Sequence, residues 1–127
     1  MTREFPVLPL RETNNHIIFA SGAKRVLVDT GAGTSVGDES AWSFMGQPRP
    51  LISRYLGADC DSISQLAGTR VDILMGNDTF KDLDFRVDLD HSKIVFSTEL
   101  LDGPGEALPG RDWVLDGSIN GRPVRAL

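Results

Sequence analysis

Val26-Leu27-Val28-Asp29-Thr30-Gly31-Ala32-Gly33 constrains this chain more than any other stretch. The apolar run makes a strand, and the strand ends on an acid followed by residues small enough for a tight loop. A carboxylate at the end of a buried strand is costly unless something solvates it. Loop amides can do so if the backbone stays close, and Gly31 permits that approach. Thr30 supplies a hydroxyl for a local hydrogen bond. An ordinary strand-to-loop turn with a capping aspartate uses the same residue types, so this stretch alone leaves both readings open.

The rest of the chain is also written mainly in strands. Phe5 to Leu10 is apolar but holds two prolines, which suits an edge strand. His16 to Ala20 is a short β-rich run, and Ser21 to Lys24 turns the chain into the strand that carries Asp29. From Asp38 to Gly68 the periodicity is weak. Gln47-Pro48-Arg49-Pro50 reads as a loop, Leu51 to Leu56 fits a helical turn or a short strand, and Ser62 to Ala67 fits helical turns closed by Gly68. Val71 to Gly76 is a buried strand ending in glycine. Asn77 or Asp78 can cap a short helix over Thr79 to Leu83. Phe85, Val87 and Leu89 alternate with polar residues, and Ile94-Val95-Phe96 returns as the hairpin partner. Leu101 to Gly110 is a Gly- and Pro-rich linker. Asn120-Gly121, between Trp113–Ile119 and Arg122–Leu127, signals a second hairpin, because both residues tolerate positive φ. The expected fold class is all-β with one short helix.

Composition removes several partners. A chain of 127 residues with 40% apolar side chains can build one modest core. Its net charge of −5 argues against a nucleic-acid backbone, which needs a basic face, and gives no support for an anionic membrane. No apolar run approaches the ~18 residues of a membrane span. The N-terminus lacks the apolar stretch of a signal peptide, and the single Cys60 excludes an internal disulfide, so a cytoplasmic location is expected.

Apolar-apolar-Asp29-Thr30-Gly31-Ala32, followed by Ser35, resembles the active-site loop of the retropepsin-like aspartic proteases. That family's second landmark is an apolar pair running into glycine, then a short helix and a hairpin. Ile73-Leu74-Met75-Gly76-Asn77-Asp78-Thr79-Phe80, with Phe85 to Asp88 and Lys93 to Phe96, is similar to it and follows in the same order. The resemblance covers about Phe5 to Ser97 and implies an acid-protease-like lobe, a closed β-barrel or sandwich, over residues 1–100. It implies that Asp29 is the catalytic acid and that Thr30 links two lobes through its hydroxyl. Gly31 would present its carbonyl to substrate or water. Ala32 and Ser35 would support the loop, and Ile73, Leu74 and Gly76 would cross behind it. The implied activity is hydrolysis of a peptide or protein substrate by two carboxylates sharing one proton, without metal or organic cofactor.

Only one Asp-Thr-Gly is present, so a homodimer or a second lobe must supply the other acid. Gly121 to Leu127 repeats the layout of Gly22 to Val28 that leads into Asp29, so residues 101–127 read as a linker and hairpin that begin a second lobe. The family's glycine-tipped flap is not visible between Asp29 and Gly76; Gln47–Pro50 or Gly57–Asp61 are the candidates for a reduced tip. A retropepsin-fold dimerisation or binding module without activity is the competing reading. Other chemistry is weaker. Asp78, Asp82, Asp84, Asp88 and Asp90 lack the glycine and closing glutamate of a calcium loop. His16 and His91 have no third ligand at a metal spacing. No Gly-x-Ser-x-Gly occurs. Trp42 and Trp113 read as core or interface anchors.

Overall fold

The computed structural model describes residues 1–9 and 16–99, together with the backbone of 115–119 and 122–126. The element order is β1 (Thr2–Pro6), β2 (Ile17–Ser21), β3 (Lys24–Val28), β4 (Val36–Gly37), β5 (Ala41–Phe44), β6 (Gln47–Pro50), α1 (Cys60–Ala67), β7 (Ile73–Met75), α2 (Asn77–Phe80), β8 (Asp84–Asp88), β9 (Lys93–Ser97), β10 (Leu115–Ile119) and β11 (Arg122–Ala126). The mostly-β class holds. The single short helix expected is a two-turn α1 and a single-turn α2. The expected linker at 101–110 lies outside the described residues, and β10 and β11 pair antiparallel around Asn120-Gly121, as a hairpin should.

A four-stranded sheet in the order β2-β3-β7-β4 is the centre of the fold. β3 and β7 run parallel, with Val26 opposite Ile73, Leu27 opposite Leu74 and Val28 opposite Met75. Successive side chains on a strand point to opposite faces. Val26, Ile73 and Met75 accordingly enter one core cluster, while Leu27 and Leu74 enter another. Both faces of the sheet are covered, which is why these two strands read as unbroken apolar runs rather than alternating ones.

The first cluster lies between this sheet, the β5–β6 hairpin and a three-stranded sheet ordered β1-β9-β8. Its centre is aromatic: Phe19, Phe44 and Phe96 contact one another and Phe5, with ring centroids between 5.0 and 5.9 Å. Such pairs contribute about 0.5–1.5 kcal/mol each beyond burial. Two sheets packed over one core make a sandwich. No sheet closes into a barrel among the described residues.

The second cluster is covered by α1. Asp59 caps this helix by accepting from the Ser62 N–H, and Gly68 ends it in the left-handed conformation at φ 74°. Ile63, Ala67 and Cys60 face inward. Burial, together with the nearby Asp38 charge, pushes the Cys60 thiol up to about 11. It is therefore an uncharged core side chain at neutral pH, which fits the reading of Cys60 as structural. No helix among the described residues is long and apolar enough to cross a membrane.

Three carboxyls among the described residues link the fold to pH. The Ser62 N–H and hydroxyl lower Asp59, and the His91 ring lowers Asp88. Burial alone raises Asp72, but the Arg25 N–H and the Arg70 guanidinium overcome it and leave a net lowering. A carboxyl depressed in the folded state stabilises it above the ordinary value of 3.8 and loses that contribution as pH falls through the depressed value. The melting temperature should therefore stay level from neutral pH down to about 4 and fall below it. Asp72→Asn should make that fall shallower, which a series of thermal melts would show.

Candidate active-site loop

β3 delivers Asp29 at the point where its pairing with β7 ends. The Asp29 N–H donates to the Met75 carbonyl at 3.0 Å, the last bond of that ladder. The loop then folds back on the acid. The Gly31 N–H donates to Asp29 Oδ1 at 2.9 Å, and the Ala32 N–H donates to the Asp29 carbonyl at 3.3 Å. The carboxylate is half-buried, Gly31 and Gly33 are exposed, and Ala32 is buried against the second cluster. A loop amide thus solvates the acid while part of the residue stays open to solvent. Thr30 is half-buried, and among the described residues its hydroxyl has no hydrogen-bond partner.

β7 runs between β3, which enters the loop, and β4, which leaves it; Leu74 pairs with both Leu27 and Val36. Ile73 and Leu74 are buried, one in each core cluster. Gly76 passes directly under the loop. A β-carbon there would lie 2.7 Å from the carbonyl oxygens of both Ala32 and Thr34. At φ −105° the backbone would accept any residue, so contact distance alone demands glycine. The next residue closes the arrangement: the Asn77 N–H donates to the Ala32 carbonyl at 2.7 Å.

Ser35 locks the two segments together. It is fully buried, and its hydroxyl donates to Asp78 Oδ1 at 2.6 Å while accepting the Gly76 N–H at 2.9 Å. Thr79 Oγ1, also fully buried, stands 3.0 Å away. Ser35 was expected to brace the loop; its partners Asp78 and Thr79 were not foreseen. They lie more than forty residues downstream. No local pattern marks such a pair.

The two candidate tips fare differently. Gln47–Pro50 is β6, a strand of a hairpin whose turn, Met45-Gly46, has φ 53° and 76°. That hairpin buries Trp42, Phe44 and Met45, and Arg49 is locked onto Asp82 at 2.8 and 2.9 Å. It covers the core and is no loop. Gly57–Asp61 runs from a tight turn into the first residues of α1. The turn itself is Tyr55–Ala58, closed by reciprocal N–H to carbonyl bonds of 2.9 and 3.0 Å. It stands beside the acid loop: a β-carbon on Gly33 would lie 3.5 Å from the Tyr55 hydroxyl. Ile52, three residues before Tyr55, bonds both sides of the loop's exit, with its N–H on the Ser35 carbonyl and its carbonyl accepting from Gly37. Leu56 takes φ 51° in that turn, a left-handed conformation costing about 1 kcal/mol for a residue with a β-carbon.

The remaining acids find structural partners. Asp88 pairs with His91 at 2.7 Å, Asp82 with Arg49, and Asp78 with Ser35. Trp42 is a core anchor stacked on Phe44 at 4.6 Å; Trp113 lies outside the described residues. No protein-family model, no curated protein and no solved structure matches the chain.

Proposed function

We propose that this chain is the acid-bearing lobe of an aspartic endopeptidase similar to the retropepsins, and that a second copy or a second lobe supplies the other carboxylate. One observation supports this above the rest: the half-open Asp29 carboxylate sits in a loop held from behind by Gly76 and Ser35. A surface aspartate that merely caps a turn needs no such backing.

In this reading two facing aspartates share one proton, because two adjacent carboxylates do not both ionise readily. The ionised member takes a proton from water, and the protonated member donates to the scissile carbonyl. The titration belongs to the pair. The Thr30 hydroxyl, which makes no hydrogen bond among the described residues, would bond across to the second lobe beneath the pair.

Asp29→Asn is expected to lower kcat/KM on an unfolded protein substrate at acid pH by at least about 10³-fold, and pepstatin to inhibit the wild-type cleavage. The fold should survive, since the asparagine oxygen can still accept from Gly31. Cleavage that persists in Asp29→Asn would refute the assignment. The alternative, a dimerisation or binding module, draws support from the single tight turn beside the loop, which would exclude little water. A stable homodimer that cleaves no unfolded substrate would favour it.

A further inference from the structure

We draw no further inference here: the strongest candidate, the small cleft at the end of the central sheet where β3 and β7 begin, lined by Lys24, Asp38, Glu39, Trp42 and Arg70, carries none, because its charged side chains already pair with one another and nothing in the structure shows what would occupy it.

Discussion

Gly76→Ala is expected to cost about 3 kcal/mol or more and to lower the melting temperature by roughly 10 °C. The added carbon would press on two carbonyl oxygens at 2.7 Å and on the Thr34 carbonyl carbon at 2.9 Å. All three belong to backbone. Moving them breaks the Asn77 to Ala32 bond in front and strains the Gly76 to Ser35 bond beside it. Gly37→Ala is the informative comparison. There the nearest atom, 2.6 Å away, is Cδ1 of Leu51, the end of a side chain that can rotate. Its loss should be nearer about 1 kcal/mol. Thermal or urea melts of both variants would check the difference, and equal losses would contradict the crossing described under the loop.

Ser35→Ala should be the second most damaging change at the site, at about 2–3 kcal/mol. The volume lost is one oxygen, so cavity formation is a minor part. The larger part is polar: the buried Gly76 N–H loses its acceptor, and Asp78 loses the donor at 2.6 Å. Burying an unmatched amide costs more than the net worth of the bond it made. A double-mutant cycle with Asp78→Ala measures the coupling. We expect the two losses to fall short of additivity by about 1 kcal/mol, since each removes the same bond. Strict additivity would mean that Asp78 and Ser35 do not act together.

The acid loop was legible because its information is local. Val26 to Gly33 states strand, acid and tight turn in adjacent residues, and Ile73 to Gly76 states a buried strand ending on a residue without a side chain. The Phe85–Phe96 hairpin was legible from its alternation. What escaped was written against the local rules. β6 holds Pro48 and Pro50, which point to a loop, and its partner β5 enters a turn through Met45 at positive φ, where glycine or asparagine is the usual signal. Tertiary packing of Trp42 and Phe44 overrides both. α2 begins two residues before Thr79, with Gly76 rather than Asn77 or Asp78 as its cap, because Asn77 is already tied to the loop. β1 begins at Thr2 rather than Phe5, since its partner β9, distant in sequence, fixes the register from Thr2 opposite Ser97. Long-range partners such as Ser35 with Asp78 leave no trace in spacing at all.

The central place of β7 also dictates when the site can exist. A growing polypeptide releases Asp29 early, yet the carbonyl, the bare α-carbon and the amide that frame it emerge only after α1 has been made. Contacts that join distant parts of a chain wait for the whole intervening segment. A ribosome-bound chain halted before Ile73 would carry the carboxylate on an unshaped tether. Whatever chemistry the loop performs is thus withheld until synthesis has passed Phe80.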